Sequence, residues 1–301
     1  MIDNKALNLH YKERKKPLKP FDYVNYALLG LFGLICIFPV IYVVLTSFSS
    51  KADYLNAKLM VLPFNFNIEH YKYIFFQGRI GNAFLNSLIV TVLGTLYSMV
   101  LTCLGAYAFT KKNVPGHKII FTIIIITMFF GGGLIPFYLT VRRLVGLNSY
   151  ASLIIPFGVN TFNMIVLRNF FSQVPESVIE SCRLDGASEF RILWQFVLPL
   201  SKAGIATVSL FYIVAKWDDW YWPSIFINRN TNLYPLALEL RNVLNNAQSE
   251  GYIDKPLDSS LLFAEGQNAA MIVISLIPIM AIYPVLQNYF VKGVMLGSIK
   301  S

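Results

Sequence analysis

Long runs without charge alternate with short polar stretches along this chain, and the run lengths predict its elements. Tyr23 to Ser50, Ile80 to Thr110, Ile119 to Val141, Leu144 to Leu167 and Gly266 to Val291 contain no Asp, Glu, Lys or Arg. As helices each is long enough to cross a hydrocarbon core of about 30 Å, which takes about 20 apolar residues. A sixth run, Ala203 to Asn228, is interrupted by Lys216, Asp218 and Asp219 but resumes at once and is read as a span too. The pattern predicts an all-α membrane protein with six transmembrane helices. Five of them form one unit over residues 80–291, preceded by a basic tail (1–20) and a first helix with its outer loop (21–79), and followed by a short tail (292–301).

Composition agrees, since only 14% of the 301 residues are charged, against about 25% in soluble domains. The mean hydropathy is +0.55. A net charge of +9 would suggest nucleic acid on a soluble domain. Here its position matters more, and no nucleic-acid partner is expected. Lys5, Lys12, Arg14, Lys15, Lys16 and Lys19 precede the first span, which predicts a cytoplasmic N-terminus. Six crossings return the C-terminus to the same side, with 15 Lys and Arg inside against nine outside. The first apolar run is too long for a cleavable leader. Cys36, Cys103 and Cys182 form no disulfide framework.

Chemistry is scarce. There is no G-x-x-x-x-G-K-[ST] loop to cradle phosphates, no H-E-x-x-H and no G-x-S-x-G, and His10, His70 and His117 lie far apart. No catalytic residue, metal site or cofactor of this chain's own is expected.

Between the fourth and fifth runs stands "ESCRLDGASEFRILWQFVLP", Glu180 to Pro199, within a polar loop over residues 172–202. Pro175 suits a first helical position, and Glu176 and Glu180 favour the positive end of a helix dipole. Asp185-Gly186 supplies a stop, because glycine takes the left-handed conformation beyond a helix end. Ser188 can cap a second short helix running through Phe196 and ending near Pro199. The prediction is an elbow of helix, tight turn and helix, charged on one face, with Val178, Cys182, Leu193 and Phe196 for an apolar one.

The residues of this stretch resemble the signature loop of permease subunits in binding-protein-dependent ABC importers: Glu-Ala-Ala, three residues, Gly, nine residues, Ile-x-Leu-Pro. Glu180, Ser181, Cys182, Gly186, Phe196, Leu198 and Pro199 occupy those positions, with small residues for the alanines and Phe196 for isoleucine. "FFGGGLIPFYL", "FNMIVLRNFF", "SLFYIVAKWDDWYWPSIFI" and "YFVKGVMLGSIKS" are similar to the carbohydrate-uptake branch, near subunits that import complex oligosaccharides. The resemblance implies a type I importer permease fold and a prokaryotic plasma-membrane location. It also implies a second homologous permease as heterodimeric partner, an extracytoplasmic substrate-binding protein, and two cytoplasmic ATPase subunits holding ATP and Mg. The loop would dock into the ATPase, with Glu180 and Asp185 as polar contacts and Leu198 and Pro199 fixing re-entry into the membrane.

The charged patch in the fifth run is the second candidate site. A charge at mid-bilayer costs about 2.5–3.5 kcal/mol on insertion scales, so these side chains should avoid lipid. Lys216 and Asp219, three apart, can pair on one face and leave Asp218 pointing elsewhere. Counted from Ala203, Trp217 lies about 21 Å along the helix, toward the outer half. Carboxylates with Trp217 and Trp220 suit a sugar, accepting hydroxyl hydrogen bonds and stacking on its C–H face. An aromatic interfacial belt with a structural ion pair fits the same residues. Asn160 and Asn163 are further polar residues for a pathway or for interhelical hydrogen bonds. Gly131 to Gly133 with Pro136 predict a break in the third run. Other readings remain open: an importer of peptide or osmolyte, a transporter coupled to protons through Asp218 and Asp219, or a membrane scaffold.

Overall fold

A computed structural model describes residues 20–57, 62–64, 66–76, 79–111, 113–246 and 263–298. The basic tail before Pro20 lies outside the described residues, as does the C-terminal end after Ser298. Among the described residues the secondary structure is helical throughout.

Three helices are continuous and apolar enough to cross a membrane: α1 (Pro20–Ser47), with α2 (Lys51–Asn56) and α3 (Glu69–Phe76) following it; α4 (Ile80–Ala108); and the last helix, Ala264–Ser298. The other expected spans are bent pairs. In the third, α5 (His117–Phe129) and α6 (Leu134–Leu144) meet at 115° across Phe130–Gly133, where Gly133 has φ +85°. The glycine run breaks the helix as expected, but α6 folds back sharply instead of completing one bent rod. In the fourth, α7 (Tyr150–Ile154), extended by a 3₁₀ turn to Phe157, meets α8 (Thr161–Phe171) at 52°.

The elbow comprises α9 (Glu176–Leu184), α10 (Glu189–Ile192), a π-turn over Leu193–Val197 and α11 (Leu198–Leu200). It meets α12 (Lys202–Trp217) at 86°. The fifth run is not one span to Asn228: α12 stops at Trp217, and α13 (Tyr221–Phe226) restarts beyond the charges. After it come α14 (Leu236–Asn246) and α15 (Ala264–Ser298).

Helix α4 runs through the centre. It buries Ser87, Thr91, Gly94, Thr95, Ser98 and Thr102 along one stripe, and α12 and α8 pack against it. Small residues let helix backbones approach closely where lipid supplies no hydrophobic drive between helices. Hydrogen bonds then join the helices: Thr102 shares one of 2.7 Å with the Tyr212 hydroxyl, which also accepts from the Asn160 amide at 3.0 Å.

Candidate functional sites at the elbow and the broken span

The elbow is built by local capping. Pro175 is extended (φ −58°, ψ 132°) and caps α9, so the helix starts one residue later than predicted. At its end the Ala187 amide donates to Cys182 O and the Gly186 amide to Arg183 O, both 3.0 Å, with Gly186 at φ +74°. These paired bonds around a left-handed residue are a Schellman stop. Ser188 accepts from the Arg191 amide at 3.3 Å and opens α10. The second helix ends near Pro199 as expected, passing through the proline to stop at Leu200. The π-turn over Leu193–Val197 explains this, because a wider turn relieves the clash between a proline ring and the carbonyl four residues back.

The two elbow helices share a core with the bundle. Ile179, Cys182, Ile192, Leu193 and Val197 are buried against Met164, Leu167, Val208 and Tyr212, while Val178 and Phe196 are half-buried. Cys182 therefore faces the bundle, and Leu198 is half-buried beside it. Glu180, Ser181, Asp185, Gly186 and Pro199 are exposed. The Ser181 hydroxyl is used internally, donating to Ser177 O at 2.8 Å.

Glu189 ties the elbow to α4. Its carboxylate accepts from the Tyr107 hydroxyl at 2.5 Å, pairs with Lys111 at 2.9 Å, and pairs with Arg183 of the other elbow helix at 3.0 Å. Burial pushes this carboxyl up, but the Tyr107 and Lys111 hydrogen bonds and the neighbouring positive charges outweigh it and hold it down at about 2. The sequence pattern missed this node because Tyr107 and Lys111 are about 80 residues away. It also missed an apolar knob. Leu184 is 89% exposed, and Phe190 and Trp194, four apart on one helix, stack parallel with centroids 6.3 Å apart while both remain exposed. Two large aromatics on the face opposite Ile192 were the available signal.

At the far end of α12, about 24 Å from the elbow at about 1.5 Å per residue, the charged patch divides. Lys216 is buried, with its stem across Gly94 of α4; a Cβ there would lie 2.7 Å from Lys216 Cδ. It comes within ion-pair distance of no acid among the described residues, so the expected Lys216–Asp219 pair does not form. The helix ends between the two residues, and Asp219 turns to accept from the Tyr221 and Trp222 amides at 3.1 and 3.2 Å, capping α13. Trp217 is core: its indole donates to Ser275 O at 2.9 Å and meets Phe84 edge to face. Asn160 caps α8 through the Asn163 amide at 3.1 Å, and Asn163 is buried beneath it.

Asp218 and Trp220 remain, together on a cavity of about 410 Å³. Trp217, Leu236, Leu240, Arg241, Asn245 and Ser275 line it with them. The Arg241 guanidinium sits 3.3 Å above the Trp220 ring. Arg241 was not foreseen because it lies on a polar helix outside the apolar runs.

Helices long and apolar enough to span a membrane, joined by a capped elbow, with a cavity of mixed lining at the break of one span, define an integral-membrane transport subunit. The family model described as "Binding-protein-dependent transport system inner membrane component" matches residues 102–296. The chain belongs to that family, the inner-membrane permease components of such systems. Its relatives include Protein LplC of Bacillus subtilis (strain 168), 35% identical over 97% of this chain and 99% of that protein. Another is the polygalacturonan/rhamnogalacturonan transport system permease protein YtcP of the same organism, 36% identical over 93% and 98%. A crystal structure of a bacterial ABC transporter involved in the import of the acidic polysaccharide alginate contains a chain of the same fold. It superposes with a TM-score of 0.82 at 30% identity, covering 91% of this chain and all of that one. A second alginate transporter structure, with pentasaccharide-bound periplasmic protein, shares the fold at TM-score 0.57 and 15% identity over 88% of this chain and 93% of that one.

Proposed function

We propose that this chain is one permease of an ATP-driven importer that carries an oligosaccharide or glycan fragment inward by alternating access. A second homologous permease completes the pathway, two cytoplasmic ATPase subunits holding ATP and Mg drive it, and an extracytoplasmic binding protein delivers the sugar. In this reading the basic tail, the elbow and the C-terminus are cytoplasmic. The elbow carries the proposal: a bracket locked by a Schellman turn and a carboxylate node transmits a displacement that a floppy loop would absorb. Glu180, Asp185, Leu184, Phe190 and Trp194 face the ATPase, Cys182, Gly186 and Leu198 hold the shape, and Pro199 sets the re-entry angle.

The cavity supports a sugar as cargo. Asp218 can accept hydroxyl hydrogen bonds, and apolar side chains and the Trp220 indole can cover a ring's C–H face. Trp217 adds a second indole to the cavity wall, while Lys216, Asp219, Asn160 and Asn163 shape the pathway from outside that lining. The names and structures of the relatives support a glycan.

The test is uptake of a labelled oligogalacturonide by proteoliposomes holding the complete importer. Uptake that requires ATP and stops with vanadate supports the reading. Uptake indifferent to vanadate but abolished by a proton ionophore replaces it with proton coupling through Asp218, and uptake of a peptide or osmolyte in its place removes the glycan.

A further inference from the structure

The cavity at the broken span carries a cation, Arg241, that has no ion-pair partner among the described residues. We infer that it is a subsite for an acidic sugar in which Arg241 reads the carboxylate, an inference that rests on the glycan-permease reading above. Arg241 is exposed at the cavity wall and makes no ion pair among the described residues. The guanidinium carbon lies 3.3 Å from the Trp220 ring centroid, a separation at which the planar group fits over the ring only with its face. Face contact does not use the in-plane N–H donors, and such donors match a planar carboxylate two at a time.

The arginine is also held in place. Helix α14 begins where Leu236 N donates to Ser87 Oγ of α4 at 2.8 Å, and Asn86 of α4 donates to the carbonyls of Asn232 and Tyr234 at 2.7 and 3.0 Å. Arg241 is thereby registered against a spanning helix. Asp218 on the same cavity has the opposite charge and accepts hydroxyls, so the two ends favour one orientation of a sugar bearing both groups. A cavity of about 410 Å³ lies within the range of about 300–1,000 Å³ for small-ligand sites.

The experiment uses the complete importer in ATP-loaded proteoliposomes, with wild-type and variant permease supplied by the same binding protein. Uptake efficiency is measured for trigalacturonate and for its fully methyl-esterified form. Because the receptor is common, a change in the acid-to-ester ratio between permeases arises in the permease. Arg241→Gln is expected to lower that ratio about 10- to 100-fold, the range for a charge-assisted hydrogen bond. Arg241→Lys should fall between, keeping charge without the planar fork. An unchanged ratio in Arg241→Gln, or an equal loss for both sugars, overturns the inference while leaving a glycan permease standing. A wild-type importer that moves neither sugar, and whose ATP hydrolysis neither sugar stimulates, overturns the glycan reading itself.

Discussion

The hydroxyl of Tyr107, one residue before the end of α4, lies 2.5 Å from the carboxylate of Glu189 on the second elbow helix. Lys111 and Arg183 complete the node, so a spanning helix and both elbow helices meet on one side chain. Glu189→Gln keeps the shape and removes the charge. Because Glu189 is half exposed, each pair is worth only about 0.2–1 kcal/mol, and a loss of about 1 kcal/mol is expected in denaturation of the purified complex. Stimulation of ATP hydrolysis by loaded binding protein should fall more than basal hydrolysis. Equal changes in both would show that the node is structural and transmits nothing.

The same carboxylate sets an acid limit. Its folded pKa of about 2 lies below the ordinary value near 4.3. Its contribution is therefore complete above that value and is lost as pH falls toward 2. Glu189→Gln should flatten the stability profile in that window, and parallel wild-type and variant curves would count against the assignment.

His70 predicts a second window nearer neutrality. It is fully buried on α3, with Nε2 3.2 Å from Ser49 O and Nδ1 without a partner among the described residues. Burial holds its pKa below the usual range, partly opposed by the Ser49 carbonyl. The folded state prefers the neutral ring, so stability is complete above about 6.5 and declines as pH falls below it. Thermal denaturation at pH 7.5 and 5.5 should show a drop in the wild type that is reduced in His70→Gln.

Gly186 has no neighbour within 4 Å of an added Cβ, so space is not the constraint. The constraint is φ +74°, which costs a residue with a Cβ about 1–2 kcal/mol. Coupled ATP hydrolysis is expected to rank Gly, Asn, Ala, Val in falling order, with the complex still assembled. Ala and Val variants as active as the wild type would remove the turn from the mechanism.

Gly94 is the reverse case, where space decides. Gly94→Ala places a methyl 2.7 Å from Lys216 Cδ. Because the far end of a lysine side chain can shift, the expected loss is at the low end of the range for overpacking, about 1–3 kcal/mol. Shortening the stem with Lys216→Ala in the same chain should recover part of that loss. Additive losses in the double variant would mean that the two residues do not share the contact.

Some of this was legible residue by residue. The elbow needed only Pro175, Gly186 and Ser188, because caps and left-handed turns are satisfied by atoms a few residues away. The second elbow helix ends near Pro199 as its sequence indicated, but the π-turn that makes room for the ring carries no sequence mark of its own. The charged patch was legible as a place but not as an arrangement. Spacing allowed Lys216 to pair with Asp219 only along an unbroken helix, and the helix ends between them.

By itself the sequence determined the apolar lengths, the bracket and the turn within it, since these follow from local hydrogen bonding and from what a bilayer tolerates. Tertiary packing alone decided that Glu189 would meet Tyr107, that Lys216 would lie on Gly94, and that Arg241 would cover Trp220. Each of those contacts joins residues far apart along the chain, and only the docking of one part of the bundle against another brings their atoms within reach.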